Sequence, residues 1–186
     1  LVRKALTDAQ ENRRDYVMRR NQKWALSEIS RDQRQQSYRQ RPSLVIITGR
    51  QNTGKKTLAR AVEQKLFSEG RFVFFMGIAN VLYGVDADIK KPGTDQPHRP
   101  EHLRRLGEVA NLMLESGLIL VVTAIGLTQE DLRIIQNTVD SDLIEVIWLG
   151  EEPTDIETSL VLSRGEAAET NVHKVHSFLK QKGILI

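Results

Sequence analysis

The chain has 186 residues, of which 40% are hydrophobic and 27% charged, enough for one globular domain with a sizeable core and an appendage. It has no cysteine, which excludes disulfides, thiolate metal sites and cysteine nucleophiles and fits a reducing compartment. Its longest apolar runs fall far short of the roughly 20 residues a membrane span needs, and no signal-peptide pattern opens it, so a cytoplasmic protein with no membrane partner is expected.

The net charge of +3 is unevenly placed: residues 1–42 carry eleven Lys and Arg against five Asp and Glu, the rest sixteen against nineteen. A basic arm can meet nucleic acid or an acidic partner, but this one has few aromatics, no nucleic-acid motif and both signs spread around a helix, which reads as a solvated face. The first residue is Leu1 rather than Met, so a longer polypeptide is expected. Residues 1–20 read as a polar helix or tail. Ser30-Arg31-Asp32-Gln33 has capping-box form and opens a second polar helix toward Gln40, stopped by Pro42.

Residues 1–42 thus form a basic helical arm or linker, and 43–186 a domain of alternating strands and helices. Ser43 to Thr48 is a short β-branched run ending at a glycine, and helical spacing follows from about 54 to 69. Arg71 to Met76 reads as a second strand. Pro100 to Ser116 is a helix with Pro in its first turn and Gly117 at its end. Leu118 to Ala124 is a third strand, Gln129 to Val139 a helix, Leu143 to Leu149 a fourth strand and Ala167 to Lys182 a closing helix stopped by Gly183. Strands apolar throughout, alternating with helices, predict a three-layer α/β P-loop fold: a mostly parallel sheet, covered on both faces, with a helical N-terminal arm. Asp86 to Pro97 and Glu151 to Gly165 read as mobile loops.

Between the first strand and its helix stands Gly49-Arg50-Gln51-Asn52-Thr53-Gly54-Lys55-Lys56-Thr57. It matches G-x-x-x-x-G-K-[ST] at every position but the last. The glycines permit backbone angles that turn N–H groups inward, the helix adds its positive end, and Lys55 would bridge the β and γ phosphates of ATP or ADP. Gly49, Asn52, Thr53, Gly54, Lys55, Lys56 and Thr57 are therefore the candidate nucleotide-binding residues. Lys56 occupies the place of the hydroxyl that holds Mg²⁺, and an ammonium cannot ligate a metal. Thr57, one residue on, is turned about 100° away. Mg²⁺ dependence stays open, and no metal cluster is visible.

Several segments together resemble the adenylylsulfate (APS) kinase family, which moves the γ-phosphate of ATP to the 3′-hydroxyl of APS. The likeness runs from about Asn21 to Ile186. Asn21-x-x-Trp24 with Arg31 and Arg34 resembles the family's leading segment. Arg99-x-Glu101-His102-Leu103-Arg104-Arg105-Leu106-Gly107-Glu108-Val109-Ala110 resembles its D-R-x-E-N-I-R-R-x-G-E-V-A helix, Ser116-Gly117-Leu118-Ile119 the strand after it, and His173 to Ile186 the last helix with its K-G-I ending. The resemblance implies nucleotide and APS as partners, Arg99 and His102 as substrate-binding residues, a role in sulfate assimilation, and a homodimer or a fused GTP-binding sulfurylase domain as further partners.

The departures fall on the chemistry. Where the family has L-D-G-D-N-V-R, this chain has Met76-Gly77-Ile78-Ala79-Asn80-Val81-Leu82, so both carboxylates and the arginine are absent. His98 and His102 replace Asp and Asn, Ile125-Gly126-Leu127-Thr128 replaces S-P-Y-R, and no R-D-P-K-G lid is visible in Glu151 to Gly165. This is the pattern of a pseudokinase, with no assignable catalytic residue. The alternative is an active kinase that uses Lys56 for metal charge and recruits Asp86 or Asp88. A GTPase is disfavoured, because no N-K-x-D segment follows the later strands. Arg104 and Arg105 read as a solvated helix face, and His98 and His102 as solvent-facing rather than an acid–base pair.

Overall fold

The computed structural model describes residues 18, 19, 22–77, 80–86, 88 and 98–186. Most of the predicted segment 1–20, with Ala79 and Asp95, lies outside the described residues.

The elements are α1 (Arg31–Tyr38), β1 (Ser43–Gly49), α2 (Lys55–Ser68), β2 (Val73–Met76), a π-helical turn (Val81–Val85) and α3 (Arg99–Glu115). They continue with β3 (Ile119–Ile125), α4 (Gln129–Gln136), a 3₁₀ turn (Ser141–Leu143), β4 (Ile144–Leu149), β5 (Leu160–Leu162) and α5 (Ala168–Gln181). The five strands lie in the order β2-β3-β1-β4-β5, every pairing parallel. β1 is central and buried along its whole length, which is why it reads as an unbroken β-branched run. Leu44 and Ile46 face one core with Leu106, Ala110 and Leu114 of α3 and Ile135 of α4. Val45 and Ile47 face the other, with Leu58, Val62 and Leu66 of α2 and Val175 and Leu179 of α5. Burying such side chains contributes about 1.5–3 kcal/mol each, so the alternation along β1 fixes helices to both faces.

Two expectations are corrected. Glu151 to Gly165 is not a loop throughout: it contains edge strand β5, and Ile156 is buried in the core. Three apolar residues in a charged stretch are too few to show a period, and their pairing with β4 decides the strand. β2 is not covered on both faces either. It is an edge strand in which Phe74 is exposed.

The arm's second helix forms as its capping box predicts, with Ser30 and Gln33 bonding reciprocally. It ends at Tyr38, before Pro42, because Arg39 takes a left-handed conformation (φ 51°). Gln40 then hydrogen-bonds through one side-chain amide to the backbone of Phe72 at both N–H and C=O and to the carbonyl of Gly117. This joins the starts of β2 and β3. No helix among the described residues is long and apolar enough to cross a membrane.

Candidate functional site

In open parallel sheets, ligands bind outside the carboxyl ends of the strands where the connections diverge. Here the chain leaves β1 toward β2 on one side and leaves β3 toward β4 on the other, so the loops after β1 and β3 meet at that point. They are tied together: Gly126 N–H donates to the Gly49 carbonyl at 3.0 Å, and Leu127 N–H to the buried Thr48 hydroxyl at 3.0 Å.

The loop after β1 has the geometry of a phosphate cradle. Gly49 has φ 147°, and a Cβ there would stand 2.4 Å from the Leu149 carbonyl oxygen, so only glycine fits beside β4. Asn52 (φ 60°) and Gly54 (φ 84°) are left-handed. They reverse the chain before α2, whose start has no side-chain cap, leaving its first N–H groups to an outside acceptor. The Lys55 ammonium is buried and donates to the Arg50 carbonyl and to Thr53 Oγ1. Thr53 Oγ1 donates to the same carbonyl at 3.0 Å. Burial lowers the Lys55 pKa, and an anion in the loop would supply the missing counter-charge. Lys56 and Thr57 are exposed.

The segment after β2 is organised by side-chain charge. The π-helical turn ends at Asp86, whose N–H closes on the Val81 carbonyl at 2.9 Å. Asp86 is fully buried, with Oδ2 2.5 Å from His102 Nδ1 and Oδ1 3.7 Å from Arg105 Nε. Arg105 also donates to the Val85 carbonyl (2.9 Å), to both Asp88 oxygens (2.5 and 3.0 Å) and to Glu101 (2.9 Å). The Arg104 guanidinium, and Arg105 beside it, hold the Glu101 carboxyl down to about 2. Arg105 likewise lowers Asp88. At the start of α3, Arg99 makes a two-pronged pair with Asp131 (2.7–3.2 Å) and donates to the carbonyls of Ile125 and Gly126. Burial alone would raise Asp131, but the Arg99 guanidinium outweighs it and its pKa is lowered.

The candidate residues therefore fall into two groups. Gly49, Asn52, Thr53, Gly54, Lys55, Lys56 and Thr57 are brought together in one loop, while Arg99 and His102 sit on the first turn of α3. The expectation that His102 faces solvent is corrected: it is buried, because Asp86, sixteen residues earlier, offers a buried acceptor. His98 is half-buried. Arg105 is not a solvated face but the organiser of four acceptors. Asp131, which the sequence reading missed, carried a signal: Thr128 and Asp131 form a capping box at the start of α4.

A divalent metal fits these residues poorly. Lys56 stands in the hydroxyl position, Gly77 brings no carboxylate, and among the described residues no group of three His, Asp or Glu could hold an ion.

A strand, a glycine-turned loop with a buried lysine, a helix beginning at that loop, and a sheet of order 2-3-1-4-5 define a P-loop domain of the kinase fold. The family description "Adenylylsulphate kinase" matches residues 41–154, and the chain belongs to that family. It is 34% identical over 118 residues to the adenylyl-sulfate kinase of Bacillus pumilus, covering 63% of this chain and 58% of that protein. The bifunctional enzyme NodQ of Rhizobium sp. is 32% identical over 124 residues, covering 66% of this chain and 19% of NodQ. The chain thus spans under two thirds of the length of these relatives. Among solved structures, a mutant of the Mycobacterium tuberculosis APS kinase CysC superposes with TM-score 0.66 at 25% identity, over 76% of this chain and 99% of that one. The same enzyme in complex with AMPPNP and APS gives TM-score 0.65 at 21% identity, over 76% and 99%.

Proposed function

We propose that this chain binds ATP or ADP, weakly to moderately, in the Gly49–Thr57 loop, receives APS at the neighbouring edge, and transfers phosphate poorly or not at all. Its role is then regulatory or structural in sulfate activation, in the cytoplasm. The observation that carries this is the contrast at one edge: an uncapped helix start with a buried Lys55 beside a β2 exit where Gly77 stands in place of a carboxylate. A hydroxyl acceptor needs positioning, charge neutralisation and preferably a base, and a lost base alone costs about 10²–10⁴ in rate. NodQ, a bifunctional enzyme, supports a fused or associated GTP-binding sulfurylase domain, and a homodimer remains part of the proposal.

A second reading, an active APS kinase, rests on Asp86 and Asp88, the carboxylates after β2. Both are already engaged, Asp86 by His102 and Arg105 and Asp88 by Arg105, which favours the first reading. Calorimetric titration with ATP and with APS, with and without Mg²⁺, together with a coupled transfer assay at saturating substrates, separates the two. Binding that survives EDTA, with no appreciable turnover, is expected. Robust turnover would establish the second reading, and no ATP binding at millimolar concentration would remove both.

A further inference from the structure

We infer that Asp86 and His102 form a buried positioning pair that fixes the acceptor-side wall of the site, His102 acting through Asp86 rather than by touching the nucleotide. This rests on the proposed reading that the edge beside the loop receives APS.

The burial of Asp86 is the first ground. An enclosed carboxylate is costly unless it is paired, and its two partners, His102 and Arg105, are three residues apart on α3, hence on one face. The second ground is the backbone that Asp86 terminates. A π-helical turn is a rare local conformation found where something outside it holds it, often at functional sites, and this one is pinned at its end by side chains of α3. Arg105 reaches the Val85 carbonyl and Asp88 on either side of Asp86, so three successive anchor points belong to one helix.

The chemistry of His102 is the third ground. An ionised carboxylate can only accept, so Nδ1 carries the proton donated to Asp86. Nε2 is enclosed and has no hydrogen-bond partner among the described residues. Both nitrogens are thus turned from solvent, a geometry for support rather than for contact with a ligand in a groove. The support reaches the site along a short path. Asn80, whose N–H donates to the Gly77 carbonyl at 2.9 Å, immediately precedes the π-helical turn, so a shift at Asp86 moves the β2 exit.

The test compares the parent chain with Asp86→Asn, His102→Leu and Arg105→Gln. Nitrogen-15 NMR of the imidazoles, with His102 assigned by its loss in His102→Leu, is expected to show the Nδ1–H tautomer without any ligand. Each variant should weaken APS binding about tenfold to a hundredfold, the range typical when a supporting contact behind a binding group is lost, and leave the ATP Kd within about twofold. Faster hydrogen exchange at the Asp86 amide should accompany the loss. An Nε2–H tautomer would overturn the inference. So would unchanged APS affinity in all three variants, or equal losses for ATP and APS. A parent that binds ATP but no APS would remove the acceptor reading and the positioning role together, whereas a parent that binds neither, with the Nδ1–H tautomer intact, would place the failure in the loop after β1.

Discussion

The loop after β1 and the segment after β2 stand at the same edge of one sheet, yet they are built from different materials. The first is made of main chain: glycines at positive φ, a helix start without a side-chain cap, a carbonyl of β4 against Gly49, and one buried ammonium. The second is made of side-chain charge: Asp86, His102, Arg105, Asp88 and Glu101 pair across a π-helical turn and α3. Main-chain geometry survives substitution of most side chains that line it, so a phosphate cradle can persist in a sequence that has drifted. An array of charges is specific to its members, and changing one partner changes the arrangement of the rest. On the proposed reading, binding and turnover part company at this one edge of the sheet.

The largest effect expected from breaking that comparison comes from supplying the family's groups that this chain lacks. Gly77→Asp, Ala79→Asp and Lys56→Ser made together should raise APS phosphorylation in a coupled assay by about 10² or more. At Gly77 the space exists, since a Cβ there would meet its nearest neighbours, Asn80 Oδ1 and the Phe75 ring, at 3.8 Å, an ordinary contact. No gain in the triple variant would place the loss elsewhere. Next comes Gly49→Ala. A methyl 2.4 Å from the Leu149 oxygen at φ 147° must displace backbone, so thermal denaturation should show a loss of at least about 1–3 kcal/mol, with nucleotide binding falling as well.

Lys55→Ala sharpens the main-chain side of the comparison. ATP affinity measured by calorimetry should drop by about 1–3 kcal/mol, as charge-assisted bonds to phosphate do, but not vanish, because the amides remain. The smallest effect is electrostatic. Arg104 and Arg105 hold Glu101 at about 2, below its ordinary 4.5. A carboxyl whose pKa is lower folded than unfolded stabilises above its unfolded value and loses that stabilisation as pH falls through the folded one. The Tm difference between parent and Glu101→Gln should therefore be present above about pH 5 and shrink between pH 4.5 and 2. Half-exposed pairs of this kind contribute no more than about 1 kcal/mol.

What could be seen in the amino-acid order follows the same division. β1, α2 and the loop between them are legible because each rests on local features: a β-branched run, two glycines, a lysine and a helical period. The helix of Arg99–Glu115 is legible from Pro100 and Gly117. Strand β5 is not, because three residues carry no period and only pairing with β4 makes them a strand. The burial of His102 is not legible either. It depends on Asp86, and nothing short of the fold brings those two together or turns the chain after β2 into a π-helical turn. Arg105 illustrates the same limit, since a solvated helix face and a hub of four acceptors look alike in one dimension.

The single amide of Gln40 has a bearing on how the chain assembles. It closes contacts 32 and 77 residues away, and the residues around it are stitched to the carboxyl terminus: Arg41 N–H meets the Ile184 carbonyl and Ile186 N–H the Arg39 carbonyl. β2 is an edge strand with neighbours on one side only, so its starting end is anchored by a glutamine that arrives from the arm. Contacts of such long sequence separation form late and slow folding. Residues 39–41 must then consolidate together with the sheet, and β2 should be the first strand to exchange its amides when that stitch is undone.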